Sequence, residues 1–413
     1  MTNLDVSLAK KYLDQAKQVL CEDDGKLWGV SLFGPIIIVD YETRQVVANQ
    51  EDYEGNLQEE DPIWVGYLPN DVTLENSVVN WAGVNWIMLI WQSLSDDPIK
   101  RTEFIAHESF HRIQNQIFSP MQEIPNANVH LDTYAGRYWL QLEWRALEKV
   151  LSGKGQERFK AIEDALLFRA YRRLLIPNAA YEERALEMHE GLAEYTGFAI
   201  RKITLKDACV FLKSTPERNS SFVRSFAYSS GPAYGLILDL VDPAWKIGLT
   251  PKSDFGELLK EALLIQIPEN LGEKARWRAL DYGGKELHLT EMDYSEKRIK
   301  RIESYKKYFF NEPVLILPIT NKVQCSFDPR TIIPIPNGGT VFPYMNIVDS
   351  WGTLSVTSVG LLMDPDWKLA RVSAPKKQEE SSWIGKGWIL KLKENWSLIP
   401  VSNSPNWKLI QQA

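Results

Sequence analysis

The segment His107-Glu108-Ser109-Phe110-His111 sets two imidazoles four residues apart with a carboxylate directly after the first. On an α-helix that spacing puts both rings on one face, where they reach a single metal ion while Glu108 stands beside its open position. This is the chemistry of zinc-assisted hydrolysis, with the glutamate as general base. A catalytic zinc takes three protein ligands and a water, so a third ligand must come from elsewhere in the chain.

Such a pentapeptide also arises by chance on surface helices, and its context decides. Asp96-Asp97-Pro98 is a helix start, with Asp97 as the cap and Pro98 suited to the first helical position. The following IKRTEFIAHESFHRIQNQIF runs to Pro120 and is anchored by Ile105, Phe110, Ile113 and Ile117. Upstream, KLWGVSLFGPIIIVD (26–40) is a β-rich run broken at Gly34-Pro35, with TRQVVANQ (43–50) as its pairing partner. The acidic stretch 51–62 reads as a loop, and WVGYLP and WAGVNWIMLIW (81–91) as further strands. A small sheet leads into the metal helix.

Downstream the periodicity is helical. LEWRALEKVL and ERFKAIEDALLFRAYRRLL are separated by Ser152-Gly153-Lys154-Gly155, and AYEERALEMHEGLAEYTGFAIRK follows Pro177-Asn178. Further helices are expected around Ser221 to Leu240, at 254–264 with Asp254 as cap, and at 289–310, where clustered Lys and Arg read as a solvated face. From Pro313 onward short β runs are punctuated by Pro, Gly and Asn. Three fragments there look alike, around Trp367, Trp396 and Trp407, and core packing is the better reading for large aromatics. The expected class is α+β, divided as 1–65 (N-terminal helix and β region), 66–310 (catalytic domain) and 311–413 (a small all-β domain).

A metzincin would need glycine at 114 and histidine at 117, and the chain has Gln114 and Ile117. That leaves a glutamate from a second helix. The segment Glu187-Met188-His189-Glu190-Gly191-Leu192-Ala193-Glu194-Tyr195 resembles the third-ligand segment of the gluzincins, the zinc peptidases that include aminopeptidase N and thermolysin. The resemblance implies a zincin-like catalytic domain, Zn2+ as cofactor, Glu190 as third ligand and Glu194 as the carboxylate that orients a ligand histidine. Small residues beside Glu190 also suit close helix approach. His189 and Glu187 are rival ligands, and the crowd of Glu182, Glu183, Glu187 and Glu194 allows a plain solvated face as the alternative. Tyr228-Ser229-Ser230-Gly231 is similar to the family's Y-x-K-G, whose tyrosine hydrogen-bonds the oxyanion, with Ser230 where the family has lysine and Tyr234 as a nearby alternative. The interval from His111 to Glu190, 79 residues, is longer than in aminopeptidase N. Two extra helices there are expected to wall the substrate cleft. At Gly83-Val84-Asn85-Trp86-Ile87 the family's amine-binding glutamate is missing, so aminopeptidase specificity is not carried over. The 81–91 strand is the expected edge for an extended substrate.

The 413 residues are 44% hydrophobic and 24% charged, an ordinary globular composition. A net charge of -7 and a pI near 5.5 argue against a nucleic-acid partner. No apolar run is long enough to span a bilayer, and the polar start reads as an amphipathic helix rather than an export signal. Cys21, Cys209 and Cys325 stand far apart, and with them a reducing, cytoplasmic location is expected. His130 and His288 have no partner pattern. The expected activity is hydrolysis of a peptide or protein substrate. A zinc-stabilised binding protein with a repurposed site, or a zinc hydrolase of other amides or esters, are the alternatives.

Overall fold

Four consecutive apolar residues, Ile36–Val39, are buried on both faces, as a central strand must be. They form β1 in the computed structural model of the chain, which describes residues 3–119, 127–320, 323–327, 331–379 and 382–411. With β2 (Gln45–Ala48), β3 (Gln58–Glu60), β4 (Ile63–Tyr67), β5 (Ser77–Trp81) and β6 (Val84–Ile90), β1 builds a mixed sheet in the order β3-β4-β2-β1-β6-β5. β1 runs parallel to β6 and antiparallel to β2.

Two strand expectations are corrected. Residues 26–33 fold as turns because Trp28 leaves the sheet for the helices: its ring packs 5.0 Å from Phe110 and its Nε1 donates to Thr196 Oγ1 at 3.0 Å. The 81–91 strand is split by a tight turn in which Ala82 and Gly83 both have positive φ, so Ser77–Trp81 becomes a strand of its own. β6 is then internal, and β5 ends the sheet.

The helices are α1 (Val6–Asp23), α2 (Pro98–Ile117), α3 (Tyr134–Ser152), α4 (Gly155–Leu175), α5 (Ala179–Leu186), α6 (Leu192–Ile200), α7 (Leu205–Lys213), α8 (Thr215–Arg218), α9 (Ala227–Val241), α10 (Phe255–Ala262), α11 (Leu271–Ala279) and α12 (Gly284–Lys306). α2 starts as its sequence dictates: Asp97 accepts from the Ile99 N–H and Pro98 opens the first turn. It ends at Ile117, and Pro120 lies outside the described residues. A π-helical turn, Glu187–Gly191, joins α5 to α6. No helix among the described residues is long and apolar enough to cross a membrane.

The chain divides into two compact units, one of Met1–Pro125, Trp139–Thr215 and Phe226–Tyr282, the other of Asn126–Tyr138, Pro216–Ser225 and Gly283–Ala413. The division expected at residue 65 falls inside β4, whose sheet has strands on both sides of it. The one expected at 310 falls beyond α12, whose Ile302 packs with Phe309, Ile333 and Val341 of the second unit. That unit is rich in β structure: β7 (Val314–Pro318), β8 (Gln324–Phe327), β9 (Ile333–Ile335), β10 (Gly339–Phe342), β11 (Met345–Asp349), β12 (Gly352–Val356), β13 (Leu361–Met363), β14 (Leu369–Ser373), β15 (Pro375–Glu379), β16 (Ser382–Gly385), β17 (Trp388–Leu392), β18 (Trp396–Pro400) and β19 (Trp407–Gln411). They form sheets in the orders β18-β19-β7-β14-β13-β10-β9 and β15-β16-β17-β12-β11-β8. One core, with Leu315, Ile347, Trp351, Leu354 and Trp388, is shared by both. Trp396 and Trp407 pack against it, while Trp367 sits in a turn at 41% exposure, so the three similar fragments do not share one role. The protein is α+β, with a helical half and a sheet-rich C-terminal region.

Inside the first unit lies a buried charge network. Arg169, Arg172 and Arg173 of α4 face Glu143 of α3, Glu183 of α5, Glu187 of the π-turn and Asp254, the cap of α10. Arg169 Nη1 donates to Glu143 Oε1 at 3.1 Å and to Glu187 Oε1 at 3.0 Å, and Arg172 grips both oxygens of Glu183 at 2.8 Å. Tyr234 of α9 adds a hydrogen bond to Glu143 at 2.7 Å. Burial alone would raise the Asp254 carboxyl, but Arg169 and Arg173 hold it well below the usual carboxylate range. Its ionised form therefore stabilises the fold above the unfolded-state pKa of about 4, and that contribution is lost as pH falls from there toward the lowered folded value.

Removing one partner of a buried pair strands the others, at a typical cost of about 3–5 kcal/mol. Arg172→Met is expected to lower stability by that amount in equilibrium urea unfolding, whereas Lys297→Ala, in an exposed pair with Asp293, leaves the midpoint unchanged. Asp254→Asn is expected to flatten the loss of stability as pH is lowered below about 4.

Candidate metal centre

His107 and His111 lie one turn apart on α2, and Glu190 reaches them from the π-turn. A π-turn adds a residue to the helical repeat and is frequent at functional sites. Here it directs Glu187 to Arg169 and Glu190 to the histidines. The three donor atoms form a small triangle. His107 Nε2 and His111 Nε2 are 3.2 Å apart, and Glu190 Oε2 stands 3.4 Å from the first and 3.6 Å from the second. Ligands at the usual Zn–N and Zn–O distances, set tetrahedrally, are about 3.3 Å apart. Two imidazole nitrogens and a carboxylate oxygen at that spacing fit a tetrahedral divalent ion with one position left over. Together the buried His107 and Glu190 and the half-buried His111 form a group that could hold a metal ion.

Neighbouring contacts fix the orientation of the donors. His107 Nδ1–H donates to Glu194 Oε2 at 2.9 Å, which turns Nε2 toward Glu190. Burial works against a proton on His107, yet Glu190 and Glu194 raise its pKa well above the ordinary value; the Glu190 carboxyl, conversely, is held well below its usual range by the two imidazoles despite burial. The field at the site is one that favours a cation. Burial raises the Glu108 carboxyl, which among the described residues takes part in no hydrogen bond or ion pair.

His107, Glu108, His111, Glu190 and Tyr228 line one cavity of about 340 Å³, together with Asn76, Ser77, Val78, Gln114, Asn115 and His189. Tyr228, in the first turn of α9, stacks parallel to His107 with ring centres 5.8 Å apart. Two glycines make that approach possible: a Cβ on Gly231 would stand 2.4 Å from the Gly191 Cα, so the backbones of α9 and the π-turn touch. Ser230, where the gluzincin motif that this segment resembles has lysine, is fully buried and accepts from Trp144 Nε1 at 2.9 Å. A lysine there would bury its ammonium. A larger cavity of about 580 Å³ in the second unit is walled by Pro334, Ile335, Pro336 and Pro365 and holds no comparable set of ligands among the described residues.

Several expectations change. Glu187 is withdrawn as a rival ligand, since its carboxylate is taken by Arg169. Tyr234 is withdrawn as the alternative to Tyr228, being fully buried on Glu143. The acidic run is no solvated face: Glu183 and Glu187 are entirely buried and Glu190 is nearly so. No residue of α3 or α4 is among those lining the cavity; these helices brace the Glu187–Gly191 turn through Arg169 and Glu143 instead of walling a cleft. Asn76, Ser77, Val78, Gln114 and Asn115 are the pocket residues whose part the sequence reading missed, while His189, a rival ligand there, stands in the pocket wall. Gln114 was legible in principle, because position i+7 from His107 and i+3 from His111 lies on the ligand face. No protein-family model, curated protein or solved structure matches the chain.

The chain is expected to bind one Zn2+ per molecule, measured by elemental analysis after dialysis, and to lose it in His111→Ala and in Glu190→Gln. Glu194→Ala is expected to weaken binding about 10- to 100-fold in a chelator competition, because His107 loses its orienting partner.

Proposed function

We propose that the protein is a zinc-dependent hydrolase of gluzincin type that cleaves peptide bonds. The observation that carries this reading is the convergence of His107, His111 and Glu190, at the separations of tetrahedral ligands, beside the buried carboxylate of Glu108. A mixed sheet leading into the ligand helix, with the third ligand on the later π-turn between α5 and α6, supports a zincin-like arrangement of the catalytic part.

His107, His111 and Glu190 would hold the ion, which when bound supplies a Lewis acid and lowers the pKa of water to about 7. Glu108 accepts the proton of the attacking water and returns it to the leaving amine. Tyr228 donates its hydroxyl proton in a hydrogen bond to the carbonyl oxygen as that oxygen gains charge, a contact typically worth about 3–4 kcal/mol of transition-state stabilisation. Asn76, Ser77 and Val78 border the cavity at the start of β5, the last strand of its sheet. An extended peptide that added to β5 would be held by its backbone and delivered to Glu108. This edge role passes to β5 from the internal β6.

Glu108→Gln is expected to retain zinc at wild-type stoichiometry while hydrolysis of a quenched fluorescent peptide library falls at least 100-fold. Zinc-loaded wild type that cleaves no member of the library overturns the peptidase reading.

A further inference from the structure

Gln114, one turn past His111 on α2, is 2% exposed, and both ends of its carboxamide are used. Its Nε2 donates to the Met188 carbonyl at 3.1 Å, and because a carbonyl only accepts, this contact settles which end of the amide is nitrogen. Oε1 therefore faces the imidazoles. It lies 3.0 Å from His189 Nδ1 and 3.4 Å from His111 Nδ1. An amide oxygen accepts and never donates, so the proton of the shorter contact is on His189 Nδ1. Nε2 of His189 is then the ring atom on the cavity side, 4.0 Å from Glu190 Oε1.

We infer that Gln114 is a positioning residue of the metal centre, which rests on the metal reading above. With one side chain it couples the helix that carries His107 and His111 to the turn that carries Glu190. It gives His111 the outer hydrogen bond that Glu194 gives His107, leaving each Nε2 lone pair directed at the ion. It also fixes His189 as the Nδ1–H tautomer, so that this histidine presents Nε2, an acceptor, to the cavity wall. Asymmetry between the ligands follows: His107 has a carboxylate behind it and His111 a neutral amide.

The chain has five histidines, few enough for each to be followed by 15N-histidine labelling and two-bond 15N–1H spectra at about pH 8. Metal-free wild type is expected to show His189 as the Nδ1–H tautomer, and Gln114→Met to shift it to the Nε2–H form preferred by free imidazole. Gln114→Glu keeps an acceptor oxygen and is expected to keep the Nδ1–H form. In chelator competition Gln114→Met should lose zinc about 10- to 100-fold more readily, with Gln114→Glu restoring retention, whereas a merely structural role weakens both alike. An Nε2–H signal for His189 in wild type overturns the inference without any variant having to fold. Equal zinc loss in the two variants also overturns it. If wild type binds no zinc but His189 is Nδ1–H and responds to Gln114→Met, the metal reading fails and the positioning of His189 by Gln114 stands.

Discussion

The fold of the first unit depends on three arginines with nowhere to go but four carboxylates. Arg169, and Arg172 and Arg173 one turn later on α4, each pair with carboxylates carried by other elements. Taking ions out of water costs several kcal/mol apiece, and only well-aligned partners offset this. The network is thus intolerant of partial assembly: α3, α5, the π-turn and α10 must all be in place before any of its members is at low energy. Such a device is a poor source of raw stability and a strong source of geometry. What it fixes is Glu187, and with Glu187 the phase of the turn that aims Glu190.

This explains why the site was only partly legible in the sequence. The H-E-x-x-H helix could be read because every requirement is local: a cap at Asp97, a proline at the first turn, and two histidines at the helical repeat. Glu190 could be named through its resemblance to a known segment. The surroundings of Glu190 could not be read, since a run with four nearby glutamates has the composition of a solvated face, and the arginines that bury it stand in a different helix. Periodicity also assumes 3.6 residues per turn, and the π-turn breaks that phase at the point that matters. β5 was hidden for another reason. The Ala82-Gly83 turn reverses the chain within what reads as one apolar run, and alternation alone does not reveal a reversal.

Close packing and electrostatics act in sequence at the candidate metal centre. Gly191 against Gly231 lets two backbones meet, and this brings Tyr228 flat against His107. Ser230, buried under Trp144, serves packing, and the side chain of this segment that lines the cavity is the tyrosine two residues earlier. The cavity itself is modest beside the larger apolar one in the second unit. Convergent donors, and not volume, distinguish it.

The first unit is written in the chain as three separate stretches, with short pieces of the second unit between them. Neither unit is therefore a cassette. A single contiguous segment that preserved α2, the Glu187–Gly191 turn and α9 would have to include residues 127–138 and 216–225, which belong to the other unit. Any contiguous stretch of the chain that contains the whole of the first unit therefore contains those pieces of the second as well, and the first unit cannot be excised alone by cutting at its ends.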